Sequence, residues 1–160
     1  MNDRDFFVQR QEAELPAFLK VLRAIPADQL SYKPHERSPS AEQLVWTLTA
    51  EYEACLTVAR DYRGEWSDIA PPPLADMISR FERAAVELRS EVSRMDDAGW
   101  TKPAKFFVGE KMVLEQAAGT FLWFILFDAI HHRGQLSTYL RPMGAKVPAI
   151  YGPSADERGS

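Results

Sequence analysis

Asp128 and His132 stand four residues apart in the stretch TFLWFILFDAIHHRGQLSTYL, residues 120–140. Steps of three and four residues return to the same side of a helix. Residues 121, 125, 128, 132, 135 and 139 therefore share one face, and Asp128, His132, Gln135 and Tyr139 form a polar seam on a helix that is otherwise apolar. A carboxylate and an imidazole on adjacent turns can chelate one divalent ion. They can equally form a hydrogen bond in which the carboxylate fixes the imidazole tautomer, and spacing leaves both readings open. His131 lies about 100° around the helix from His132, so the two histidines do not reach one ion together. A second acid sits further up the chain. Residues 38–62 read as a helix with the inward stripe Leu44, Leu48, Cys55 and Val58, beside which Thr47 and Glu51 fall. A carboxylate near a core face is costly unless it is paired or bound to a cation, which makes Glu51 a third candidate ligand. The plainer alternative places it at the helix edge, in contact with water or an arginine. Cys55 reads as a small core residue and His35 as an exposed loop histidine.

The elements that must position these residues are helices. Residues 3–25 carry Phe6, Phe7, Leu15, Phe18, Leu19, Leu22 and Ile25 at helical spacing, with Pro16 inside, so a kink or break is expected at residues 12–16. A loop with two prolines follows. The second helix starts either at Ser38, with Pro39 in the first turn, or at the capping box of Ser40 and Gln43. After the stiff linker EWSDIAPPPL, a helix from Leu74 that ends at residues 96–99 has the clearest periodicity of the chain, with Leu74, Met77, Ile78, Phe81, Leu88 and Val92 inward. Residues 100–112 read as an irregular crossover with at most a brief extended piece. The fourth helix is expected from residue 113 or 114 to the stop at Pro142 and Gly144. Val147, Ile150 and Tyr151 suggest a tail folded back, with residues 152–160 loosely ordered. Four helices without convincing strand pairs give an all-α bundle.

The chain has 160 residues, enough for one domain with a sizeable core. Its net charge is −4 and it has no dense basic run, which argues against a nucleic-acid partner. The single cysteine cannot pair internally and suits a reducing cytoplasm. The first residues lack the apolar core of an export signal. Residues 117–130 contain one charge, and this run is short of the roughly 18 to 20 apolar residues of a membrane span. Such a helix packs one face in the core and the other against a neighbouring helix or a second subunit.

The segments HHRGQLSTYLRPMGAKVPAIYGPSADE and RSPSAEQLVWTLTAEYE resemble the last and second helices of the DinB/YfiT-like family, and the resemblance extends over nearly the whole chain. It implies an up-down-down-up four-helix bundle, commonly a homodimer. It also implies a divalent-metal site of three histidines, one from the second helix and a His-x-x-x-His pair from the fourth. Here His132 matches the second histidine of the pair, Asp128 stands at the first, and Thr47 stands where relatives place the second-helix histidine. Aspartate serves a divalent ion and threonine does so poorly, so Glu51, one turn beyond Thr47, is the expected third donor. The resemblance thus implies a metal-dependent, thiol-linked transferase or hydrolase acting on a small molecule. Its centre would hold zinc or nickel on His132, Asp128 and Glu51, with Thr47, Gln135 and Tyr139 toward the substrate. The competing function is a non-catalytic dimeric bundle that binds a small ligand or a partner protein.

Overall fold

A computed structural model describes residues 1–66 and 68–158. Four long helices carry the fold: α1 (Asp3–Arg23), α2 (Ala41–Asp61), α3 (Leu74–Arg94) and, last in the chain, α5 (Ala118–Leu140). A short helix α4 (Asp97–Thr101) and three strands, β1 (Arg63–Glu65), β2 (Pro103–Val108) and β3 (Lys111–Ala117), fill the connections. The long helices close a ring in which α2 packs on α3 and α5, and α1 packs on the same two from the other side. The chain is thus mostly helical, but the all-α four-helix expectation is corrected by a fifth helix and a sheet.

That sheet has the order β1-β2-β3, with β1 parallel to β2 and β2 antiparallel to β3. Its hairpin explains why the last helix begins at Ala118 rather than at residue 113 or 114. Gly109 adopts φ +58°, a left-handed conformation open to glycine at little cost. With Glu110 it makes a two-residue connection that turns Phe106, Phe107 and Val108 back onto Lys111, Met112 and Leu114.

Local chemistry sets the helix ends. Asn2 caps α1 by accepting from the Asp5 amide at 2.8 Å. Asp3 and Asp5 in the first turn and Lys20 and Arg23 in the last complement the dipole. The expected break at Pro16 does not occur, and α1 runs through it. Pro16 and Glu12, whose carbonyl loses its helical partner, are both exposed, so water can serve the carbonyl. At the start of α2 the capping box is the alternative found. Ser40 Oγ accepts from the Gln43 amide at 3.2 Å, and Gln43 Oε1 accepts from the Ser40 amide at 2.8 Å.

The core joins all four long helices, with Phe18, Tyr52 and Phe81 meeting at ring distances of 4.5 to 5.8 Å. Where α4 meets the first turn of α5, Gly119 lies under the Trp100 ring, and a Cβ there would fall 2.2 Å from Trp100 Cε2. Gly119→Ala, otherwise favourable in a helix, is therefore expected to destabilise the protein by about 1–3 kcal/mol. A denaturation midpoint unchanged or raised by the substitution would contradict that packing.

The tail folds back as expected, with Val147 and Ile150 against the core. Asp156 accepts from the Val147 amide at 3.0 Å and from Arg141 at 2.7 Å, and Ser154 Oγ donates to the Val147 carbonyl at 2.6 Å. Residues 159 and 160, at the end of the segment expected to be loose, lie outside the described residues. Among the described residues no helix is long and apolar enough to cross a membrane.

Candidate metal centre

Helices α2 and α5 pack side by side, and this contact brings Glu51, Asp128 and His132 together. One ligand atom from each lies within 4.8 Å of the others. His132 Nε2 stands 3.7 Å from Glu51 Oε1 and 3.7 Å from Asp128 Oδ2. Both distances exceed a hydrogen bond, so the reading in which Asp128 fixes the imidazole tautomer is not what is found. Donors about 2.1 Å from one zinc ion stand roughly 3 to 3.5 Å apart. A small inward movement of these side chains would meet that spacing.

Gln135 fills the tautomer role instead. Its Oε1 accepts from His132 Nδ1 at 2.9 Å, so the ring proton sits on the outer nitrogen and the Nε2 lone pair faces the two carboxylates. Metal-ligating histidines are commonly oriented through such an outer partner.

Among the described residues Glu51 pairs with no arginine, one form of the alternative its helix position left open. It is 3% exposed, and among the described residues Oε2 has no hydrogen-bond partner. Burial, reinforced by the Asp128 carboxylate, pushes its carboxyl from 4.5 up to about 9. An orphaned buried oxygen, a second carboxylate and a lone pair aimed at both is a donor set that fits a divalent cation. The side chains of Asp128 and His132 are 39% and 20% exposed, so the cluster opens to solvent on the α5 side.

The remaining residues named from sequence have surroundings of their own. Thr47, half-buried, lines a surface groove with Lys33, Arg37, Gln43 and Trp46 where the loop enters α2. Tyr139 is buried, donates its hydroxyl to the Pro39 carbonyl at 3.1 Å and meets Tyr32 edge-on. That contact ties α5 to the start of α2. His131 points outward. Cys55 is buried, and burial followed by the neighbouring Glu51 pushes its thiol up, which suits a core residue and not a nucleophile.

Sequence reasoning missed a second polar cluster on the other side of α5. Arg133, 2% exposed, donates to Glu14 Oε2 at 2.6 Å and to the Tyr151 hydroxyl at 2.5 Å, and Tyr151 donates to the same Glu14 oxygen at 2.7 Å. Arg10 reaches Glu14 Oε1 at 2.6 Å. Burial pushes the Glu14 carboxyl up, but the hydrogen bonds from Arg133, Tyr151 and Arg10 outweigh it and hold the group below its ordinary range.

The two long helices α2 and α5 of this mostly helical chain thus hold a possible metal-binding triad, Glu51, Asp128 and His132, between them. The family-level comparison is specific: the DinB family model matches residues 1–158, and the chain belongs to that family. An uncharacterized Bacillus subtilis (strain 168) protein, YrdA, is 24% identical over 156 residues, which is 96% of this chain and 90% of that protein. Two crystal structures share the fold. A DinB-like protein from Bacillus subtilis superposes with a TM-score of 0.70 at 19% identity, covering 90% of this chain and 96% of that one. One from Bacillus cereus ATCC 10987 gives 0.73 at 20% identity, covering 91% and 95%.

Proposed function

We propose that this protein binds one divalent cation, zinc or nickel, through Glu51, Asp128 and His132, and uses it on a small-molecule substrate as a thiol-linked transferase or hydrolase. The observation that carries the reading is the unpartnered Glu51 oxygen, buried beside a second carboxylate and an oriented imidazole. A cation removes the cost of that arrangement, because it compensates both carboxylates and takes the Nε2 lone pair. When bound, it would supply Lewis-acid polarisation and lower the proton affinity of a coordinated donor.

The chain's own residues do the rest. Glu51 gives up its proton as the site loads. Gln135 holds the His132 ring in register, and Tyr139 fixes α5 against the entry to α2. Asp128 stands at the open side, where substrate enters. Thr47, one turn before Glu51 on the same face of α2, offers its hydroxyl toward the substrate.

The test is metal analysis of protein purified without a polyhistidine tag and dialysed against zinc or nickel. About one equivalent is expected in the wild type and a trace in His132→Ala. Traces in both overturn the reading and favour the competing one, a non-catalytic bundle, which Thr47 supports by standing where relatives carry a histidine.

A further inference from the structure

We propose that the substrate of the metal centre carries a carboxylate that docks on Lys33 and Arg37, in the groove beside the start of α2, while its reacting end reaches Glu51, Asp128 and His132. The proposal rests on the metal reading above and names the substrate class of that site. The groove has a volume of about 590 Å³, enough for a small molecule, and Lys33, Glu36, Arg37, Gln43, Trp46 and Thr47 line it.

The chemistry of these walls is mostly that of donors. Lys33 gives one ammonium proton to the Glu36 carbonyl at 3.2 Å and keeps two. Arg37 forms no ion pair among the described residues, and both cations are exposed. Gln43 accepts from the Ser40 amide through Oε1 at 2.8 Å, which leaves its NH2 group to donate. Thr47 adds a hydroxyl and Trp46 an indole N–H. The helix end itself offers little, because the amides of Ser40, Ala41, Glu42 and Gln43 are already taken by Gln43, Tyr32, Leu30 and Ser40. Recognition therefore falls to the side chains. In a chain of net charge −4, two cations beside the single acid Glu36 make a local site for one negative charge. That balance fits a carboxylate and leaves a dianionic phosphate half compensated.

The groove and the metal centre lie along one seam. Helices α2 and α5 run antiparallel there, with Glu51 facing His132 and, further along, Pro39 accepting from the Tyr139 hydroxyl at 3.1 Å. Thr47 and Gln43 stand on the groove side of Glu51, about 6 and 12 Å away along the helix axis. The carboxylate is thus held several bonds from the reacting atom, and a two-carbon acid does not span the gap. The Tyr139 contact pins the loop to the helix that carries Asp128 and His132. On the other wall, Arg80 lies over the Trp46 ring at 5.0 Å and is itself held by Glu53 at 2.7 and 2.8 Å.

The probes are 6-mercaptohexanoate, its uncharged counterpart 6-mercaptohexanol, and mercaptoacetate, titrated calorimetrically into protein whose zinc content has first been measured. The hexanoate is expected to bind the zinc-loaded protein about tenfold or more tightly than the alcohol. Lys33→Gln combined with Arg37→Gln, at two exposed positions, is expected to abolish that advantage while zinc content and affinity for the alcohol are unchanged. Mercaptoacetate, too short to reach the groove, is expected to be indifferent to the double substitution. Equal affinities for acid and alcohol, an advantage that survives the double substitution, or a mercaptoacetate affinity that falls with it would each overturn the proposal. Tighter binding of 6-mercaptohexyl phosphate than of the hexanoate would overturn the assignment to a carboxylate. A wild type that takes up no zinc sinks the metal reading alone. The groove is then judged with hexanoate, which must shift the Trp46 indole N–H resonance in the wild type and not in the double variant, and the absence of that shift overturns the carboxylate site as well.

Discussion

Glu51→Gln is expected to weaken zinc or nickel binding by more than about a hundredfold, beyond the 10–100-fold that loss of an outer hydrogen-bond partner costs. The amide keeps the shape of the side chain but removes the only buried carboxyl among the three candidate ligands, and with it the charge that a cation would draw out on loading. Gln135→Leu, which takes away the partner of His132 Nδ1, is the matched control and should fall within the smaller range. Competition with a chelator measures both. Equal losses in the two variants would mean that Glu51 is not a ligand.

The same substitution has a second effect, on the metal-free protein. The folded carboxyl titrates at about 9 and the unfolded one near 4.5. Between those values the folded state holds a proton that the unfolded state has released, so stability falls as pH rises through the window, by up to about 1.4 kcal/mol per pH unit. Below the window both states are protonated and the group has no effect. Above it the loss is complete and levels off. Denaturant unfolding of chelator-treated protein should show that slope, and Glu51→Gln should remove it. For the same reason the apparent metal affinity of the wild type should climb with pH across the window, because loading displaces the Glu51 proton.

The second large effect concerns Arg133. Arg133→Met leaves Glu14 buried with only Arg10 and Tyr151 beside it, and breaking one side of a buried ion pair typically costs about 3–5 kcal/mol. For a chain of this size that corresponds to a fall of roughly 10 °C in Tm. Tyr151→Phe removes only hydrogen bonds and should cost about 1 kcal/mol. Adding Glu14→Gln to Arg133→Met should restore part of the loss, since no unpaired charge then remains. A single Arg133→Met variant within about 1 kcal/mol of the wild type would show that the pair is not a structural anchor. Because the Glu14 carboxyl is held low, its contribution is present above 4.5 and is lost as pH falls through its folded value.

The cluster of Glu51, Asp128 and His132 was more legible in the sequence than the scaffold around it. Asp128 and His132 were legible because one helix turn fixes their relation, and Glu51 because a carboxylate beside an apolar stripe needs an explanation. The hairpin of β2 and β3 was not, although Gly109 and Glu110 between two runs of aromatic and apolar residues carry its signal. Only Glu115 and Gln116, both good helix formers, separate Met112, Val113 and Leu114 from Ala117 and the start of α5, and they masked the change from a period of two to one of 3.6. The pairing of Glu14 with Arg133 left no local trace. The two residues are 119 positions apart, and each alone looks like an ordinary polar residue on a helix.

That separation bears on how the protein is made. Glu14 is synthesised early, and its donors Arg133 and Tyr151 follow only 119 and 137 residues later. While the nascent chain is still on the ribosome, α1, α2 and α3 can associate, but the carboxylate between them has no counterion beyond the solvent-facing Arg10. Closure therefore waits for the last helix and the tail that follows it, and interrupted translation products should be the ones that chaperones and proteases encounter.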